Sequence, residues 1–164
     1  MRTTLLSLAL LGTIVSASAL AAGGGGGGGE TMNTSTPAKP VDPNFSQAKA
    51  MIEARNYGPA VPLLQQVVAK DPRNADAYNL MGYATRKSGN AQGSLQYYTT
   101  ALQIDPKHLG AHEYIGEAYL MLDQPQQAEQ HLARLDSLCV FGCTEYRMLK
   151  AAIANYKAGK KPTN

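Results

Sequence analysis

Small and apolar residues fall on a helical beat along most of this chain. Tyr78, Met81, Gly82 and Thr85 run at i, i+3, i+4 and i+7, which puts them on one face of a helix. Ser94, Leu95, Tyr98, Ala101 and Leu102 mark a second such face, and Ser88-Gly89-Asn90 separates the two runs with turn residues. The two runs read as a hairpin of helices. The pattern then recurs. Displacing the sequence against itself by 34 residues, the distance from Pro72 to Pro106, lays Asn44 over Tyr78 and His112, Gln47-Ala48 over Met81-Gly82 and Ile115-Gly116, and Met51 over Thr85 and Tyr119. In the second half of the unit the same shift aligns Ala60 with Ser94 and Ala128, Leu64 with Tyr98 and Leu132, Val67 with Ala101 and Leu135, and Pro72 with Pro106 and Val140.

Each column has a physical reading. Gly82 and Gly116 lack a side chain where the helices of a pair must approach, and Ala60, Ser94 and Ala128 keep the facing helix thin. Asp71-Pro72 and Asp105-Pro106 end their units, because a residue before proline is pushed out of the helical region. Asp42-Pro43 opens the first unit, with a capping side chain ahead of a proline at the first helical position. Arg55-Asn56-Tyr57-Gly58 is expected to make its turn, with Pro59 and Pro62 both in the first turn of the second helix, where a missing donor costs little. The third unit should turn at Asp123-Gln124-Pro125. After Leu138 the beat breaks, and Thr144 opens a last helix carrying Tyr146, Leu149, Ile153 and Tyr156 on one side. Stacked units need a terminal element to cover the last apolar face, and this helix has that pattern. The expectation is an all-α chain: three helix-turn-helix units (about 41–74, 75–108 and 109–140), a capping helix over 141–158 and a tail from 159 to 164.

A helix-turn-helix repeated every 34 residues resembles the tetratricopeptide repeat. Tyr78, Met81-Gly82, Ser94, Tyr98, Ala101 and Pro106 occupy that family's signature columns in the middle unit, and Ile115-Gly116, Tyr119, Ala128 and Leu132 do so in the third. The first unit departs at Gln47, where an apolar residue is usual. The resemblance implies an α-solenoid with a groove lined by the first helix of each unit, which takes an extended peptide or a partner helix. By helical phase the groove residues are Phe45, Lys49 and Ile52, then Asn79, Tyr83, Arg86 and Lys87, then Glu113, Glu117, Leu120 and Met121. Some members grip a C-terminal carboxylate with a lysine and asparagine clamp. Here Phe45, Leu80, Gly110 and Tyr114 stand in several of those columns, which disfavours that mode.

Composition adds an N-terminal chapter. Arg2 precedes an apolar run from Leu5 to Val15, followed by small residues through Ala22, the pattern of a secretory signal peptide over 1–21 with cleavage after Ala19 or Ala21. The run is shorter than the ~20 apolar residues of a membrane span, and no cysteine adjoins the cleavage region to carry a lipid. Seven glycines from Gly23 to Gly29 begin a polar leader that reaches residue 40 and cannot bury enough apolar surface to fold. Export, with the periplasm as destination, is the expectation from these features. A net charge of +3 with interspersed signs does not suggest a nucleic-acid partner.

Candidate chemistry is sparse. Cys139 and Cys143, the only cysteines, suit a disulfide in an exported chain, pinning the junction between third unit and cap. The alternative is a thiol redox or metal-handling module using Cys139, Cys143 and His112, though the spacing is not C-x-x-C. His108 and His112 lie four apart, the spacing of a helix-face chelate, but His112 stands in the packing column of Tyr78 and no third ligand accompanies them. Glu113 and Glu117 share a helical face and could form an acid/base pair, though a solvated or groove-lining face fits them better. G-x-S-x-G is absent, and Ser94 stands where a small packing residue is wanted. No catalytic residue, metal site or cofactor is assigned. The expected role is a non-catalytic adaptor, scaffold or assembly factor that binds another protein, with self-association through an incompletely covered end as a further reading.

Overall fold

The computed structural model describes residues 41–163, so the signal peptide and glycine-rich leader expected at 1–40 lie outside the described residues. Among those described there are seven α-helices and no strand: α1 (Pro43–Glu53), α2 (Tyr57–Lys70), α3 (Ala75–Lys87), α4 (Ala91–Ile104), α5 (Leu109–Met121), α6 (Pro125–Leu138) and α7 (Thr144–Lys157). Consecutive helices pack as pairs, and α7 packs against both α5 and α6. This is a helical solenoid of three hairpins with a terminal helix.

Local chemistry sets the boundaries. The Asp42 carboxylate accepts from the Asn44 N–H at 2.8 Å, Asn74 Oδ1 from Ala77 N–H at 2.9 Å, and Asn90 Oδ1 from Gly93 N–H at 2.7 Å, each satisfying a donor that a helix start leaves open. His108 performs the same service for α5, its Nδ1 accepting from Ala111 N–H at 3.1 Å. At the other ends, Asp71 (φ −133°, ψ 81°) and Asp105 (φ −130°, ψ 95°) have left the helical region, as the following prolines require. The turns inside the three units share one more property: Arg55, Gly89 and Asp123, each 34 residues from the next, have φ of 58°, 95° and 59°. The hairpin needs a left-handed residue at that column, and only the middle unit supplies glycine.

Two local expectations shift. α2 begins at Tyr57, so the first turn is only Ala54 to Asn56. Pro62 is consequently the sixth residue of α2, in its second turn, where the missing N–H removes a bond to the Gly58 carbonyl.

The core runs along the seam of the pairs. Ala48, Ala60, Leu64, Val67, Ala77 and Met81 form one buried cluster, Tyr98, Ile115 and Ala118 a second, and Leu120, Ala128, Leu135, Leu149 and Ile153 a third beneath α7. Fully burying a residue such as Leu64, Leu135 or Leu149 contributes about 2 kcal/mol through apolar transfer. In the middle unit a Cβ on Gly82 would lie 2.5 Å from the Tyr98 ring, so the close approach of α3 to α4 depends on glycine there. In the third unit the corresponding space beside Gly116 is filled from elsewhere: a Cβ there would lie 2.6 Å from Leu149 of α7. Leu132 stands in the column of Tyr98 and packs against the cluster beneath α7.

Candidate functional site

The first helices carry a connected polar and aromatic face, centred on Arg86. Its Nη2 lies 2.7 Å from Glu117 Oε2, its Nε donates to the Tyr98 hydroxyl at 3.4 Å, and its guanidinium lies 5.6 Å and 5.7 Å from the ring centres of Tyr83 and Tyr114. Arg86 is only 2% exposed. Burial alone would lower its pKa, but Tyr98 and Glu117 outweigh it and raise the value, so the charge is secure. Tyr57, Tyr83, Tyr114 and Tyr98 continue the network, with successive ring centres 6.1, 5.0 and 6.2 Å apart. Burial, reinforced by Glu113, pushes the Tyr114 hydroxyl up to about 12.

One helical turn before Glu117 sits Glu113, 3% exposed. Burial, then the charges of Glu117 and Glu145, pushes its carboxyl up to about 8. Its Oε1 and the Oδ1 of Asn79 on α3 are buried oxygens without a hydrogen-bond partner among the described residues. Buried acceptors of this kind are costly to leave unpaired.

The other residues expected in the groove divide. Lys87 and Met121 are partly exposed at the C-terminal ends of α3 and α5, and the Met121 sulfur lies 3.9 Å from Arg86 Nη1. Phe45 and Ile52 are half-buried against the first core cluster, whereas Lys49 is exposed. Leu120 is a correction: it has no exposed surface and packs with Ala128, Leu135, Leu149 and Ile153, because α7 covers its side of α5. Arg86 lies on the face that helical phase assigns it, but its hydrogen-bonding groups are turned to Glu117 and Tyr98 rather than left free.

Beside this network a cavity of about 470 Å³ opens between α3, α5, α7 and the segment after α7. Arg86, Lys87 and Glu117 line one side, and Met148, Ala151 and Asn155 with Lys160 to Thr163 line the other. Asp123 anchors that terminal segment by pairing with Lys161 and accepting from the Tyr156 hydroxyl at 3.0 Å. The expected tail thus forms a wall of the site, which the helical beat gave no means of seeing.

The histidines and cysteines sit elsewhere. His112 is paired not with His108 but with His131 of α6, their Nδ1 atoms 2.9 Å apart. His112 Nε2 donates to the Pro106 carbonyl at 3.2 Å, so its Nδ1 accepts from His131. Burial, then His112, lowers the His131 pKa to about 4, and burial lowers that of His112. The imidazole of His108 reaches Asp76 Oδ1 at 3.1 Å. Cys139 and Cys143 are at disulfide distance, with Cα atoms 5.5 Å apart, bracketing the junction between α6 and α7. Among the described residues no three His, Cys, Asp or Glu converge as a metal-binding group.

A stack of helix hairpins with a 34-residue register, a glycine at the crossing of its middle pair and a polar face on the first helices defines a helical-repeat protein. A family model for the tetratricopeptide repeat matches residues 85–153. Over that stretch the chain is similar to the tetratricopeptide repeat, and its helical-repeat fold is shared with the solved structures that follow. Among solved structures, MamA from Desulfovibrio magneticus RS-1 is 24% identical with a TM-score of 0.56, covering 58% of this chain and 54% of that one. PcrH in complex with the chaperone binding region of PopD is 16% identical with a TM-score of 0.63, covering 71% and 90%. The thermophilic repeat protein TTC0263 of Thermus thermophilus is 19% identical with a TM-score of 0.58, covering 71% and 63%. A curated human protein, protein O-mannosyl-transferase TMTC3, is 28% identical over 76 residues, which is 46% of this chain and 8% of that protein's length.

Proposed function

We propose that this chain is an exported, non-catalytic binding module that holds a segment of another protein against the first helices of its units. The observation that carries the reading is the Tyr83–Arg86–Glu117–Tyr114 network beside an open cavity. The tyrosines offer a bound segment rigid contact area at little entropic cost. PcrH, whose fold is similar, is seen with a bound segment of PopD, which supports the same use of the scaffold here. Export is supported by the pattern of residues 1–21 and by a cysteine pair at bonding distance, since disulfides persist outside reducing compartments.

The test is capture of partners from periplasmic extract by the full chain, with crosslinking and mass spectrometry to identify them. Tyr83→Ala should weaken capture by about tenfold while circular dichroism stays unchanged, the size expected for losing one aromatic anchor. Retention of full capture would place binding on another surface. Arg86→Ala does not serve this purpose, because it strands Glu117 and destabilises the fold itself.

A further inference from the structure

We propose that the cavity walled by α3, α5, α7 and the terminal segment is a subsite for an acidic stretch of the bound protein, a carboxylate side chain next to an aliphatic one. The inference rests on the binding-module reading and names the chemistry of what that module takes.

The charges around the cavity show what is missing. Arg86 is satisfied by Glu117, and Lys161 by Asp123. Lys87 from α3 and Lys160 from the terminal segment also line the cavity, and neither has an ion-pair partner among the described residues. Burial, followed by repulsion from Arg86, lowers the Lys87 pKa despite the attraction of Glu117, so a further negative charge nearby would favour the ammonium. A carboxylate entering between Lys87 and Lys160 would supply that charge. Lysines on two different walls favour an anion lodged within the cavity over one resting on its rim.

The remaining wall sets the second requirement. Met148 is 49% exposed, one of four large apolar side chains that the fold leaves in water among the described residues, and it lines the cavity next to Ala151. An exposed methionine adapts to aliphatic partners of varied shape. At about 470 Å³ the space is within the range of established ligand pockets. A cationic segment would meet like charge from Lys87 and Lys160, so the sign of the preference is determined.

The full chain is titrated, by fluorescence anisotropy at about 50 mM salt, with two labelled, end-capped octapeptides, one alternating leucine with glutamate and the other leucine with lysine. The glutamate peptide should bind at least about tenfold more tightly, with the gap narrowing at about 500 mM salt. Lys87→Glu combined with Lys160→Glu should reverse the order. Arg73→Glu combined with Lys107→Glu, which changes net charge equally but in loops outside the cavity lining, should preserve it. Equal binding of the two peptides, binding of neither, or a preference that survives the Lys87 and Lys160 changes overturns the subsite. The binding-module reading is judged separately, because capture from extract that is sensitive to Tyr83→Ala would stand even if the acidic preference fell.

Discussion

Arg55 has a backbone that suits glycine better than arginine. With φ at 58°, it bears a steric cost of roughly 1 kcal/mol that Gly89 avoids in the same column. Arg55 is exposed, so Arg55→Gly loses little packing and should raise stability by about 0.5 kcal/mol in urea denaturation, once the greater freedom of the unfolded chain is subtracted. Asp123, the third member of the column, is held by Tyr156 and Lys161 and is a poorer site for the same change.

Two buried titratable groups act on stability with opposite sign. Glu113 has its pKa raised from 4.5 to about 8, so its contribution is intact below pH 4.5 and drains away as pH rises toward 8. His131 is lowered from 6.5 to about 4, so its contribution is intact above pH 6.5 and drains away as pH falls toward 4. His112 is the nearest partner, and Arg134, His108 and Asp105 act on the pair through His112. From these two groups, stability peaks near the middle of the window, at about pH 5–6. Glu113→Gln should remove the alkaline loss and stabilise the chain at pH 8 by on the order of 2 kcal/mol, after allowance for solvent screening. His131→Gln should flatten the acid side. Thermal melts from pH 4 to pH 8 check both signs in one series.

At the scale of elements, α7 decides how the third unit is finished. It supplies Leu149 to the space beside Gly116 and seals Leu120, Ala128 and Leu135. Leu149→Ala should cost about 3 kcal/mol in chemical denaturation, with a loss of cooperativity concentrated in α5 and α6 that hydrogen exchange would reveal. A result near zero would mean that α7 is dispensable as a cap. The Cys139–Cys143 pair closes so small a loop that its entropic contribution is about 2 kcal/mol, enough to hold the entry into α7 but secondary to the apolar seal. Element boundaries were readable because they depend on neighbours in sequence. The Asp-Pro endings, the caps at Asp42 and the turn at Ser88-Gly89-Asn90 are all local steric or hydrogen-bonding facts. Pro62 shows the margin of error, since beginning α2 at Tyr57 moved the proline from an innocuous first turn into the second.

For the molecule as a whole, the 34-residue period carried the architecture, and helical phase placed Asn79, Tyr83, Arg86, Lys87, Glu113 and Glu117 on the first helices. Phase did not reveal which of these were already engaged. Arg86 meets Glu117 across 31 positions, and His112 meets His131 across 19, each contact joining two helices. Leu120 shares the periodicity of the groove residues, yet α7 takes it into the core. The terminal lysines gave no periodic signal at all, although Lys160 and Lys161 help to wall the cavity.

The amino-acid sequence alone determined the repeating hairpin, most of the places where its helices start and stop, and the small residues at the crossing of the middle pair, because these follow from φ/ψ sterics, capping and a fixed helical pitch. Only the tertiary structure decided which charges neutralise one another, which apolar face α7 covers and where an uncompensated pair of lysines looks into open space. Those outcomes depend on the distance and rotation between stacked helices, which a one-dimensional pattern does not encode.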